Sequence, residues 1–279
     1  MNKSVIIIFL LIQGIAFGQS FTPQQQEVIN AENGFAGLSK SANQVEAFMA
    51  YLSDSTIMFN GENKPVSGMS LYKDRKPNNS LLFWWPVFVG ASRDGKMGFS
   101  TGPWEWSKNR DTLPQAFGYY ATLWQKDAEG HWKMKVDLGI QFPASEKSNP
   151  PLKASPAGFP TSNIALPYER LMDKDKAYNE LLKTSSYVKE RFTTDGHMLR
   201  SGHKPFGDPG EFGGLDEKGK SFSYSQMSGG MAGNPCDMFY AYGTVKTTGA
   251  DGKVSDEKYF RVWKIENNNW KIVLDVLSN

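Results

Sequence analysis

The chain has 279 residues, with 31 Lys+Arg against 29 Asp+Glu, 39% hydrophobic and 13% aromatic residues, and a single cysteine. This balance excludes a disordered tail, a disulfide-stapled mini-domain and a polybasic nucleic-acid binder, so no nucleic-acid partner is expected. The length allows one large domain or two modest ones, each able to bury a core.

Lys3 precedes the unbroken apolar run 5–12, and the small residues Ala16 and Gly18 stand just before Gln19. A positive start, a short apolar stretch and a small-residue end predict a secretory signal peptide over residues 1–18, too short for a comfortable membrane span. The expectation is an exported protein, periplasmic or extracellular, with no membrane span after processing. Cys236 has no partner for an internal disulfide, so such a protein must be stabilised by its core.

Residues 28–52 place Val28, Phe35, Leu38, Val45, Phe48, Met49 and Leu52 at three- and four-residue spacings, interrupted by Gly34 and Gly37. That spacing predicts one broken helix or two short ones, before a strand-like run at 56–59. Aromatic and β-branched segments at 81–89 and 96–106 flank the Arg93-Asp94-Gly95 turn, and 117–125 and 132–140 read as a hairpin. Pro143, Pro150, Pro151, Pro156, Pro160 and Pro167 then predict a semi-extended linker. Beyond it, residues 168–192 read as helical, 197–199 as a strand, and 258–265 with 270–276 as a second hairpin. The expected division is a first domain at 19–145, a linker at 146–165 and a second domain at 166–279.

The second half repeats the first. Met58 and Lys64-Pro65 recur as Met198 and Lys204-Pro205 at an offset of 140, and Met97 and Gly102 recur as Met238 and Gly243 at 141. Tyr120, Trp124, Trp132 and Asp137 recur as Tyr259, Trp263, Trp270 and Asp275 at offsets of 138–139. Ordered recurrence with small drifts is what duplication followed by loop insertion produces. Helices first and a meander of long strands afterwards predict the α+β class, with helices covering one face of a curved antiparallel sheet.

In this order of elements, and in the endings "LWQKDAEGHWKMKVDLG" and "VWKIENNNWKIVLDVLS", each copy resembles the nuclear-transport-factor-2-like, or SnoaL-like, superfamily. The stretch from Phe99 to Glu105 is similar to an element of secreted members of uncharacterised function. The resemblance implies two tandem cone-shaped α+β barrels, each open at one end into a mostly apolar pocket. It also implies pairing through the outer sheet faces, here as an intramolecular pseudo-dimer. Members include ketosteroid isomerase, polyketide cyclases, scytalone dehydratase and many binding or scaffold proteins. Isomerase-like members place a catalytic carboxylate just after the first strand; that place falls on Asn60 and Arg200, and neither side chain is a carboxylate base.

The pocket candidates are Glu32, Trp85, Trp104, Tyr120, Asp175, Tyr240, Tyr242 and Tyr259. Glu32 with Phe35, and Asp175 with Tyr178, form an acid-x-x-aromatic pair at the same place in each copy, and three-residue spacing sets both members on one helix face. The tyrosines and tryptophans offer apolar surface with a hydrogen-bonding handle, which suits a small organic ligand. Strict alternation puts Asp137 and Asp275 on the opposite sheet face from Trp132 and Trp270. Where the first copy has Phe83-Trp84-Trp85-Pro86, the second has Tyr224-Ser225-Gln226-Met227, so the second pocket is expected to be the roomier and more polar.

Two motif matches fail on context. Gly98-x-Ser100-x-Gly102 fits the serine-hydrolase elbow, but Pro103, Trp104 and Trp106 continue as strand or turn where that motif needs a helix. The 214–221 segment fits a phosphate-binding loop, but it follows a Gly/Pro-rich loop and leads into a strand. His131, His197 and His203 are too scattered for a metal site, so neither metal nor cofactor is expected. The expected function is binding of a small apolar or aromatic molecule in a cone pocket, without catalysis. The alternative is an isomerase-, dehydratase- or cyclase-type enzyme using a pocket acid or tyrosine.

Overall fold

The computed structural model describes residues 20–156, 166–233 and 236–279. The expected signal segment 1–18 and residues 157–165 of the expected linker lie outside the described residues. In chain order the elements of the first unit are α1 (Pro23–Ser41), α2 (Gln44–Tyr51), β1 (Ile57–Phe59), β2 (Pro65–Ser67), α3 (Gly68–Tyr72), β3 (Leu81–Trp84), β4 (Phe88–Ala91), β5 (Met97–Ser107), β6 (Ala116–Lys126), β7 (Trp132–Phe142) and β8 (Lys153–Ala154). The second unit has α4 (Tyr168–Asn179), β9 (Phe192–Arg200), β10 (Ser221–Met231), β11 (Met238–Thr248), β12 (Val254–Glu266) and β13 (Asn269–Ser278). No helix among the described residues is long and apolar enough to cross a membrane.

The chain is α+β, with helices packed on a curved sheet in each of two tandem units. The first sheet runs β2-β1-β7-β6-β5-β4-β8, with β3 also pairing β5, and the second runs β10-β11-β12-β13-β9. The long strands are antiparallel, but β1 lies parallel to β7 and β9 parallel to β13.

Residues 28–52 form two helices because Ala42 and Asn43 interrupt them, not because of the glycines. Thr22 and Gln25 make a reciprocal capping box at the start of α1, and the Asn43 side chain caps α2. Gly34 sits inside α1, where a Cβ would lie 2.5 Å from the Tyr51 hydroxyl, so it lets α2 close over α1. Arg110 donates to the carbonyls of Ser39, Lys40 and Ala42, satisfying the end of α1. In the second copy only residues 168–179 are helical; the rest of the expected helix is turn, ending in a short 3-10 segment at Lys189–Arg191.

Each sheet has a helix-covered face and an opposite face, and the two opposite faces pack together. Phe88, Phe99, Leu123, Val136 and Leu138 of the first unit join Met238, Phe260, Val262, Leu274 and Val276 of the second in one buried cluster. Phe88 stacks on His197 across this boundary with ring centroids 3.8 Å apart. The helix-covered faces hold separate clusters, around Phe35, Phe48 and Trp124 in the first unit and around Tyr178, Phe239 and Trp263 in the second.

A β-bulge at equivalent places decides which way the last-strand aspartates face. In β7 the extra residue falls between Met134 and Val136, which pair with Trp124 and Leu123 of β6, and in β13 between Ile272 and Leu274, which pair with Trp263 and Val262 of β12. Met134 therefore joins the helix-side cluster while Val136 joins the inter-sheet one, and Ile272 and Leu274 divide in the same way. The expected alternation is corrected: Asp137 and Asp275 face the helix side, with Met134 and Ile272. A single extra residue inverts every facing beyond it.

Candidate functional site

The first unit encloses a cavity of about 630 Å³ between its helices and the face of β5, β6 and β7. Phe48, Tyr72, Trp84, Trp104, Trp106 and Tyr120 supply aromatic walls, and Thr122 and Asp137 supply polar floor. Lys258, Ser278 and Asn279 of the second unit complete the lining. Ser278 Oγ donates to the Gly139 carbonyl at 2.7 Å, which holds the end of β13 against the first sheet.

Thr122 and Asp137 are direct cross-strand partners, and Thr122 Oγ1 donates to Asp137 Oδ1 at 2.7 Å. Burial raises the Asp137 carboxyl to about 6 even though the Thr122 bond works the other way. Among the described residues no cation forms an ion pair with it. The Tyr120 hydroxyl, buried beside the same space, has no hydrogen-bond partner of full geometry; Ser100, its polar neighbour, is committed as a donor to Glu32.

Glu32 sits on α1 beneath this cavity, wholly buried. Ser100 Oγ, Trp84 Nε1 and Trp124 Nε1 all donate to it, the last at 3.0 Å. Burial pushes its carboxyl up to about 7, opposed by those three donors and assisted by Asp137. With both oxygens occupied, Glu32 positions the indoles of the wall and leaves the cavity face to Asp137.

The second unit builds the same frame and fills it. Asp175 on α4 takes the place of Glu32, and Trp263 Nε1 donates to it at 2.9 Å as Trp124 does to Glu32. Arg261 stands where Thr122 does: each pairs across the sheet with the last-strand aspartate, Arg261 with Asp275 and Thr122 with Asp137. Arg261 reaches Asp175 at 2.7 Å and Asp275 at 3.1 Å, and its guanidinium carbon lies 4.6, 4.8 and 5.6 Å from the Tyr178, Tyr259 and Tyr224 rings. Arg200, at the end of β9, adds a second guanidinium to Asp275 at 2.8 Å. Burial works against the charge on Arg261, but Asp275 and Asp175 outweigh it and hold the group protonated.

The candidates named from sequence therefore divide. Trp104 and Tyr120 line the first cavity, and Glu32 lies directly beneath it. Trp85 is corrected as to which cavity it lines: it sits in the break between β3 and β4, packs on the inter-sheet side and lines a separate cavity of about 300 Å³, where its indole donates to Asn149 at 2.9 Å. Tyr240 and Tyr242 are corrected likewise, since both belong to the cluster between the sheets. Asp175 and Tyr259 are joined at 3.0 Å, but inside the ionic network of the second unit. The roomier second pocket is reversed, because Arg261 and Arg200 occupy that space and the cavity beside Arg200 is only about 100 Å³; its polar character holds, with Ser201, Glu217 and Lys220 in the lining. From sequence Thr122 goes unnamed, and Asp137, weighed as a pocket carboxylate, is read as a structural residue of the sheet face; the two-residue step from Tyr120/Tyr259 to Thr122/Arg261 held the signal. Among the described residues no three His, Cys, Asp or Glu side chains gather as metal ligands.

No protein-family model and no curated protein matches the chain. Solved structures do align with it. An NTF-2-like protein of unknown function from Shewanella oneidensis aligns at 15% identity over 41% of this chain and 96% of its own, with a TM-score of 0.33. A ketosteroid isomerase-like protein from Erwinia carotovora aligns at 12% identity over 44% of this chain and 99% of its own, with a TM-score of 0.34. A domain of unknown function with a cystatin-like fold from Nostoc punctiforme aligns at 12% identity over 58% of this chain and 88% of its own, with a TM-score of 0.35. The architecture itself rests on the two sheets and their helices.

Proposed function

We propose that the protein binds a small organic molecule in the cone cavity of its first unit, with the second unit serving as a closed structural counterpart. The observation that carries this reading is the contrast between one frame left open at Thr122 and the same frame filled by Arg261. A cavity of about 630 Å³ with aromatic walls and polar groups such as Thr122, Asp137 and Gln141 set among them is what small-molecule sites present. The joined sheet faces support treating the pair as an intramolecular pseudo-dimer, and the first 18 residues support export to the periplasm or medium.

Trp84, Trp104 and Trp106 make the reading testable by intrinsic fluorescence. A panel of one- and two-ring aromatic compounds is titrated against the mature protein and against Thr122→Arg, which installs the filling residue of the second unit. Saturable quenching in the wild type and its loss in the variant are expected. A panel that leaves the wild-type signal unchanged refutes the reading. A second reading, acid–base catalysis of the isomerase or dehydratase type, is favoured by one observation: an Asp137 carboxyl titrating at about 6 on a cavity wall, suited to proton transfer near neutral pH.

A further inference from the structure

The second unit contains a cation where the first contains space. Arg261 is a guanidinium held between two carboxylates and faced by three tyrosine rings, entirely inside the protein. The two carboxylates and the ring positions of that cradle have counterparts in the first unit, while Asn179, which accepts from Arg261 at 3.0 Å, and Arg200 have none. Asp137 matches Asp275 in register opposite Thr122, and Glu32 matches Asp175 in its bond from the strand indole. Tyr120 matches Tyr259 two residues before the Thr122/Arg261 position, and Phe35 matches Tyr178 three residues after the acid. Trp84, opposite Trp104, matches Tyr224, opposite Val245.

We propose that the ligand of the first cavity is an organic cation, an amine or guanidine on an aromatic or aliphatic body, whose charged head docks on Asp137 in the place that Arg261 fills in the second unit. This rests on the preceding reading that the cavity binds a small molecule, and it names the class. Asp137 is a half-buried carboxylate with no cation beside it, and a ligand that supplies one gains an ion pair partly shielded from water. Aromatic faces around that carboxylate add attraction for a positive head that they do not offer a neutral one. The unpartnered Tyr120 hydroxyl supplies an acceptor for a second N–H of the head. Arg75 and Lys258 also line the space. Arg75 is exposed and lies over the Tyr72 ring, while Lys258 is committed to Asn63 and the Asn279 carbonyl, so neither neutralises Asp137.

The test uses three probes of one shape: 2-phenylethylamine, 2-phenylethanol and 3-phenylpropanoate, titrated calorimetrically into the full mature chain. The amine is expected to bind about tenfold or more tightly than the alcohol, the size of a hydrogen bond to a charged group, and the carboxylate is expected to bind weakest. Asp137→Asn should bring amine and alcohol to within about twofold by removing that bond, and an unchanged affinity for the alcohol shows that the variant keeps its cavity. Equal or tighter binding of the alcohol by the wild type overturns the cation claim and leaves small-molecule binding standing. Preference for the carboxylate overturns it in favour of an anion at Arg75 and Lys258. If no probe binds, the cation claim and the binding reading fall together for ligands of this size. If the amine keeps its advantage in Asp137→Asn, the cation docks elsewhere and the assignment to Asp137 fails.

Discussion

Thr122 and Arg261 stand at one position of a duplicated frame, each directly across the sheet from an aspartate on the last strand. A short hydroxyl leaves Asp137 facing a cavity; a long guanidinium seals the space over Asp275. Truncating the sealed side should be severe. Arg261→Thr leaves Asp175 and Asp275 buried without their shared cation, and loss of one partner from a buried pair costs about 3–5 kcal/mol. Urea denaturation measures it, and a loss below about 1 kcal/mol would mean that water enters and resolvates the carboxylates.

Asp137 should titrate near 6, with its position governed by residue 122. Thr122→Val removes the one hydrogen bond that lowers it and should move the titration upward. Thr122→Arg supplies a cation and should move it down. Carbon-13 NMR of the side-chain carboxyl follows all three proteins, and a titration indifferent to residue 122 contradicts the geometry.

Glu32 gives stability a pH dependence of definite sign. Its carboxyl is held at about 7 in the fold against an ordinary value of 4.5, so the fold favours the protonated form. That contribution is full below about 4.5 and is lost as pH rises through 7. His197 opposes it: burial lowers its titration below 6.5, so protonation of the unfolded chain erodes stability as pH falls through that value. Glu32→Gln should flatten the alkaline loss, so that the variant gains on the wild type between pH 5 and pH 8 in parallel thermal melts. A constant difference between the two proteins across that range would count against the buried carboxyl.

Gly102 and Gly243 mark the same close approach in both units. A Cβ would lie 1.9 Å from the Trp85 carbonyl oxygen at the first and 2.0 Å from that of Ser225 at the second. Backbone cannot yield as a flexible side chain does, so Gly102→Ala and Gly243→Ala should each destabilise by about 1–3 kcal/mol or more. Unaltered melting of either variant would show that the strand crossing is looser than the geometry requires.

The shared cluster between the sheets should make the two units unfold together. Phe88→Ala removes a buried ring that touches both Phe99 and His197, at a cost of about 3–5 kcal/mol. Calorimetry should give one transition, shifted down as a whole. Two resolved transitions, with only one shifted, would separate the units energetically.

The duplication, the helix-then-meander order and the acid–aromatic pair were legible because each is a spacing, and spacings survive in a sequence. Facing was not legible. Counting by twos from Trp132 gives the wrong side for Asp137, because the bulge opposite Leu123 and Trp124 adds a residue that nothing in the local composition announces. Trp84 and Trp85 show the same limit: the chain breaks between β3 and β4, and one indole serves the cavity while the next turns to the far side. The relative openness of the two units was misjudged for another reason. It is set by Arg261 on β12 together with Arg200 on β9, while the aromatic segment of β3 that invited the comparison only forms a wall.

Lys258, Ser278 and Asn279 line the first unit's cavity, so a tag attached after Asn279 would start beside that lining. An affinity tag placed there would lie within reach of the cavity and could be mistaken for a ligand, above all a histidine or lysine tag facing Asp137. Ligand screens on this protein need the tag at the other end or removed, and immobilisation through the far C-terminal position would crowd the cavity it is meant to present.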